Sequence, residues 1–270
     1  MAAPNEITPA QLLRKIGTPD VPVIVDISIP EDFEDDPKLI PGAIRHSHTD
    51  MAGLMAKLNG RHSIIVCQKG IKLSQGVSAW LRSEGLSSEY LQGGNYGWRA
   101  HAGAPRVPFA ALPVTSGSNT IWVTRHRPKI DRIACPWLIR RFVDPKARFL
   151  FVSPAEVAGV AQRFEATPFD VEGVYWTHEG PKCTFDKMLD TFNLRTDALD
   201  RIATVVRAAD TNKLDQSPQA AGLLALSVGL SRLYRDDNAQ MEAGLALYDA
   251  LYRWARDGQN ESHDWPGDRT

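Results

Sequence analysis

The sequence predicts an α/β domain with a parallel sheet and flanking helices, followed by a mainly α-helical domain with a small strand element. Three observations carry this expectation. Early in the chain, short β-branched apolar runs (VPVIVDI, HSIIVCQ) alternate with helical segments, the order that same-direction strands and their crossovers require. Beyond residue 184, TFDKMLDTFNL, DALDRIATVVRAAD, PQAAGLLALSVGLSRLY and AQMEAGLALYDALYRWARD all keep helical spacing. Between the two regions, residues 100–118 shift to prolines, glycines and small side chains.

Taken in order, TPAQLLRKI (8–16) reads as a short helix with Thr8 as its cap. VPVIVDI (21–27) is a buried strand, and EDFEDDPKLIPGAIRHS is an acidic loop with a turn at Pro41-Gly42. Residues 50–58 suit a helix, 62–68 a second strand, 73–85 an amphipathic helix closed by Gly85, and 87–94 a last short strand. In the second half TIWVTRH (120–126) and ARFLFVS (147–153) are strands, with a helix after Pro154. The expected boundaries are 1–104 for the first domain, 105–118 for a linker or wrap-around segment with the boundary near Gly117, 119–257 for the second domain, and 258–270 for a polar tail.

At 270 residues, 43% hydrophobic and 23% charged, the chain has globular composition, and either half is long enough for its own core. A formal charge of -1 gives no global attraction to nucleic acid or anionic membranes; positive charge is instead local, from Arg125 to Arg141. The start lacks an apolar signal region, and no apolar run approaches the roughly 18 residues of a membrane span, so a cytoplasmic location is expected. Cys67, Cys135 and Cys183 are too scattered for a disulfide framework or a paired-cysteine zinc site.

Cys67 directly follows an apolar strand and precedes Gln68, Lys69, Gly70, Ile71 and Lys72, which lead into a helix. A strand-to-helix loop of this kind turns several N–H groups inward, and with the helix dipole they stabilise a thiolate, persulfide or bound oxyanion. Gly70 lets the loop curl, while Lys69 and Lys72 add positive charge. Read from the residues alone, an inert core cysteine remains the competing description.

The segments VIVDISIPEDFEDDPKLIPGAIRHS and CQKGIKLSQGVSAWLRSEGLSSEYLQGGNYGW resemble, in order and spacing over residues 8–100, a single rhodanese-like domain. The resemblance implies that Cys67 accepts sulfane sulfur and passes it to a nucleophile, with no cofactor required. It implies that Asp26 supports the loops around the site, and that Gly93, Gly94 and Trp98 are structural. Lys72 stands where many members carry arginine, and Leu73 where a small hydroxyl residue is common.

In RHRPKIDRIACPWLIRR (125–141), Pro136 suggests the first turn of a helix, which would put Cys135 at its N-cap, with Lys129, Arg132, Arg140 and Arg141 available to an oxyanion. A solvated, ion-paired surface is the alternative. In THEGPKCTFD (177–186), His178 and Glu179 can supply ligands, and Asp131 or Asp210 can complete a Mn, Fe or Zn site; structural hydrogen bonding is the ordinary alternative. RPKIDRIACPWLIRRFVDP, FDVEGVYWTHEG, KCTFD, VVRAAD and GLALYDALYRW resemble the C-terminal domain of ChrB-type chromate-resistance proteins.

The sequence therefore predicts a sulfurtransferase carrying persulfide on Cys67, linked to chromate or oxyanion stress. Its partners would be a sulfane-sulfur donor, a thiol or other nucleophilic acceptor, and an oxyanion such as chromate, with no membrane or nucleic-acid partner indicated. A non-catalytic oxyanion sensor and a metal-dependent enzyme centred on the second domain are the alternatives.

Overall fold

The computed structural model describes residues 4–114 and 119–261, so the boundary expected at Gly117 and the tail past residue 261 lie outside the described residues. Two compact units result. One comprises Met1–Thr120, Leu138–Arg148 and Thr191–Leu194; the other comprises Ile121–Trp137, Phe149–Asp190 and Arg195–Thr270. Among the described residues no helix is long and apolar enough to cross a membrane.

The first unit starts with β1 (Glu6–Ile7) and α1 (Pro9–Lys15). Thr8 caps α1: its hydroxyl accepts from the Gln11 N–H at 3.2 Å, while Gln11 Oε1 accepts from the Thr8 N–H at 2.9 Å. Next come β2 (Val23–Asp26), α2 (Pro30–Glu34), β3 (Lys38–Leu39), β4 (Ile44–Arg45) and α3 (Met51–Leu58). The stretch expected to be an acidic loop thus holds a helix and two short strands. Pro30 opens α2, and Glu31 and Asp32 in its first turn complement the dipole.

The unit continues with β5 (Ser63–Val66), α4 (Lys72–Ser83), β6 (Ser88–Leu91), α5 (Gly94–Ala100) and β7 (Val107–Pro108). The main sheet has five strands in the order β1-β6-β5-β2-β4, all parallel. The chain reversals in strand order require the crossover helices, and the central β5 is buried at every position. Val25, Ile27, Leu54, Leu58, Ile65 and Leu81 form a core cluster that also contains Cys67.

Residues 105–108, expected to lie in the linker, pack with the first unit. β7 pairs antiparallel with β3, and Trp98 Nε1 donates to the Pro105 carbonyl at 2.9 Å, so these residues belong to the first unit. The buried indole of Trp98 needs an acceptor, and the wrap-around strand supplies it.

The second unit begins with β8 (Ile121–Arg125) and α6 (Asp131–Phe142), whose last residues fall in the first unit. After β9 (Arg148–Val152), α7 (Val157–Phe164) and β10 (Thr167–Pro168) come α8 (Thr184–Thr191), α9 (Asp197–Asp210), α10 (Ala220–Leu233) and α11 (Asp237–Asp257). A three-stranded sheet, ordered β10-β8-β9, is the strand element; the rest is mostly helical. Trp122 sits edge-on to Phe169 and Trp176, and Trp137 packs with Phe185, Tyr248 and Tyr252.

Pro136 lies inside α6 rather than at its first turn. The helix starts earlier because Ile130, at φ 43°, turns the chain and its carbonyl accepts from Ile133 at 3.1 Å and Ala134 at 2.8 Å. Pro136 removes only the donor that would have served the Arg132 carbonyl. Cys135 is consequently in the helix interior, not at an N-cap.

One close approach fixes the first unit's functional loop. Gly94, at φ +56°, lies so near residues 67–70 that an added Cβ would overlap the Cys67 carbonyl oxygen and the Gly70 nitrogen. Gly94→Ala should therefore destabilise the chain by about 2–4 kcal/mol in urea unfolding, from backbone strain plus overlap. Gly76→Ala, in helix α4 with open space around it, should instead stabilise by about 0.5–1 kcal/mol.

Candidate functional site

Cys67 stands one residue beyond the carboxyl end of β5 and is 4% exposed. Its thiol donates to Ser74 Oγ at 3.3 Å, and Ser74, fully buried in the first turn of α4, passes the interaction to the Ile71 carbonyl at 3.2 Å. The hydroxyl missing at Leu73 is thus provided one position later, which the sequence reading did not find. Gly70 has φ +69° and packs backbone-to-backbone against Gly93 and Gly94. Among the described residues the N–H groups of Lys69, Gly70, Ile71 and Lys72 donate to no backbone acceptor. They lead directly into the first turn of the 12-residue α4.

Lys69, Ile71 and Lys72 are exposed at the rim, whereas Gln68 is 9% exposed and its carbonyl accepts from the Tyr96 N–H at 3.0 Å. Asp26 does not sit at the anion position but buttresses the loop. Its carboxylate, 1% exposed, accepts from the Ser28 N–H at 2.9 Å, Arg45 Nη1 at 2.8 Å and Asn95 Nδ2 at 2.8 Å. Asn95 in turn donates its own N–H to the Cys67 carbonyl at 3.0 Å. Arg45 and Asn95 were absent from the sequence reading because each is distant from Cys67 along the chain.

In the second unit four side chains from separate segments converge. His178 Nε2 lies 3.6 Å from Asp131 Oδ2, 3.4 Å from Asp170 Oδ1 and 3.2 Å from Asp210 Oδ2. Asp131 opens α6, Asp170 follows β10, His178 precedes α8 and Asp210 ends α9. Asp131 is fully buried, and its carboxylate accepts from the Thr184 N–H at 2.6 Å and the Phe185 N–H at 3.1 Å, thereby capping α8. Asp170 accepts from Thr184 Oγ1 at 3.0 Å, and Arg125 and Arg132 approach its other oxygen at 3.2 and 3.3 Å.

These placements set the charge states. Burial pushes the Asp131 carboxyl up to about 6 against the pull of His178, with Asp210 and Asp170 adding repulsion. Burial also works to raise Asp170, but His178, Arg132, Thr184 and Arg125 together hold it below the usual carboxylate range. The facing carboxylates of Asp131, Asp170 and Asp210 push His178 up to about 12.

Several candidates do not join this cluster. Glu179 points away, exposed and paired with Lys187 at 2.7 Å, so Asp170 takes the place expected for it. Asp170 was overlooked because PFD reads as a loop, and only its left-handed turn (φ 51°) brings it under the histidine. Lys129 is exposed, and Arg140 and Arg141 lie in the last turn of α6, with Arg140 Nε donating to the Ala147 carbonyl at 3.2 Å. Cys135 is fully buried, and burial followed by the Asp131 charge pushes its thiol well up, so it is no activated thiolate. Cys183 is raised for the same first reason.

Beside the cluster, the fully buried Asp186 accepts from Arg207 Nη1 at 2.7 and 2.8 Å and holds the start of α8 against α9. Removing one partner of a buried pair strands the other. Because Arg207 keeps 27% exposure, Asp186→Ala should cost about 2–3 kcal/mol, below the full range for such pairs, in urea unfolding. Asp190→Ala, breaking the partly exposed pairs to Arg195 and Lys182, should cost less than about 1 kcal/mol.

The parallel sheet with its cysteine loop and the helical unit with its histidine-carboxylate cluster match two known families. Residues 8–101 match the rhodanese-like domain, and residues 122–255 match the family described as ChrB, C-terminal domain. The chain thus carries a rhodanese-like domain followed by a ChrB-type C-terminal domain. Protein ChrB of Cupriavidus metallidurans is 35% identical over 133 residues, covering 48% of this chain and 39% of that protein. The match therefore spans well under half of that relative's length.

A crystal structure of a rhodanese-like domain protein from Staphylococcus aureus shares 27% identity, with 35% of this chain and 90% of that chain covered and a TM-score of 0.31. A protein of unknown function from Rhodopseudomonas palustris, described as a possible tyrosine phosphatase, shares 26% identity, with 37% and 83% covered and a TM-score of 0.33.

Proposed function

We propose that this chain is a sulfurtransferase that carries sulfane sulfur as a persulfide on Cys67, within a pathway of resistance to chromate or a related oxyanion. The observation that carries the reading is the setting of Cys67. It lies at the carboxyl end of a central parallel strand, followed by a glycine-tightened loop whose N–H groups, among the described residues, lack backbone acceptors, and by a helix N-terminus. Such a cradle presents donors to a persulfide or bound oxyanion.

In the reaction the Cys67 thiolate attacks the outer sulfur of a donor such as thiosulfate. A new S–S bond forms, the donor's own bond to that sulfur breaks, and sulfite leaves with the bonding pair. A nucleophile, either a thiol or cyanide, then attacks the outer sulfur of the persulfide, and the Cys67 thiolate is released. No external oxidant, reductant or cofactor enters. Ser74 positions the sulfur, and the Asp26–Asn95 connection holds the Cys67 carbonyl. Lys72 in place of the common arginine offers a point charge rather than a planar fork, so thiosulfate is one test donor among several. The ChrB-type second domain supports the link to oxyanion stress.

Purified chain incubated with thiosulfate, a polysulfide and a persulfide donor, then with cyanide, should release thiocyanate, and its intact mass should gain one sulfur atom before cyanide is added. Cys67→Ser should reduce both signals to background while leaving the circular dichroism unchanged. If no donor gives turnover or adduct, the sulfurtransferase reading fails.

A further inference from the structure

We propose that Asp131, Asp170 and His178, with Asp210 beside the histidine, form a binding site for one divalent first-row cation of the Zn²⁺, Fe²⁺ or Mn²⁺ class. This is independent of the sulfur chemistry at Cys67.

The spacing around the imidazole is the main argument. Nε2 has carboxylate oxygens at 3.2, 3.4 and 3.6 Å, from three different aspartates. One nitrogen carries at most one proton, so it cannot serve three acceptors well. Charge-assisted N–H···O contacts close to about 2.7–2.9 Å, and none of these does. The separations agree instead with the edge of a coordination shell. Ligands held tetrahedrally at about 2.0–2.2 Å from a metal stand roughly 3.4 Å from one another. The donor atoms of Asp131, Asp170 and His178 moreover all lie within 4.8 Å of one another.

The surroundings are arranged for the same purpose. Backbone N–H groups of Thr184 and Phe185 orient the Asp131 carboxylate, and Thr184 Oγ1 orients Asp170. Such outer contacts fix ligand direction in metal sites. Arg125 and Arg132 approach only Oδ2 of Asp170, leaving Oδ1 turned toward the histidine.

Two carboxylates and an imidazole suit Zn²⁺, Fe²⁺ or Mn²⁺, whereas a soft cation would demand the thiols. Cys135 does not supply one, since its sulfur stands behind Asp131, 3.8 Å from Oδ1. The His178 side chain, 42% exposed, leaves an entry path from solvent.

The test uses the full chain, stripped with a chelator, dialysed, and titrated separately with ZnCl₂ and MnCl₂. Bound metal is counted by inorganic mass spectrometry after gel filtration, and the melting temperature is recorded in parallel. About one equivalent of at least one metal should be retained with a rise in melting temperature, and His178→Ala and Asp170→Asn should each weaken binding by about tenfold or more. Asp131 caps α8, so its variants can fail by misfolding. His178→Ala removes a partly exposed side chain and keeps the test decisive when its circular dichroism matches that of the unsubstituted chain. Retention below roughly a tenth of an equivalent for both metals, or affinity unchanged in both variants, overturns the site.

Discussion

A carboxylate taken out of water has to be given donors, and both halves of this chain are organised around one that has been. Asp26 is 1% exposed and draws in the Ser28 backbone, Arg45 and Asn95. Asp131 is fully buried and draws in the first two N–H groups of α8 together with His178. Leaving such a group unanswered costs several kcal/mol, so chain segments far apart in sequence are pinned wherever the carboxylate stands. In the first unit the pinned segment contacts the Cys67 loop through Asn95. In the second it carries the histidine cluster.

The three cysteines show how environment separates residues of one type. All are buried, yet Cys135 and Cys183 lie beside Asp131 and Asp186, and burial together with those charges opposes thiolate formation. Cys67 lies at a strand end facing a helix N-terminus, with the Ser74 hydroxyl in contact. Sequence position alone made Cys135 resemble a helix-cap thiol, because Pro136 usually marks a first turn. The turn at Ile130 started the helix earlier and moved Cys135 into its interior.

What could be read from the sequence was whatever local periodicity and local chemistry encode. The apolar runs VIV and IIV gave strands at their expected places, Thr8 with Gln11 gave a capped helix, and the helical spacing after residue 184 persisted in the structure. The helix at 94–100 was missed because it opens with Gly93-Gly94, a pair that signals a turn. The short strands β3, β4 and β7 have two residues each, too few to show any alternation. For the second site, Asp131, His178 and Asp210 were recognisable by residue type. Asp170 and the displacement of Glu179 depended on a left-handed turn and an ion pair to Lys187 that no spacing rule contains.

The division of labour among the cysteines is tested most directly by locating sulfur at the level of peptides. The full chain would be loaded with an excess of inorganic polysulfide, its persulfides trapped by alkylation under native conditions, and then digested and analysed by mass spectrometry. The account predicts a trapped persulfide on the peptide containing Cys67, with the peptides of Cys135 and Cys183 unmodified. Sulfur on Cys135 or Cys183 while Cys67 remains a free thiol would contradict it.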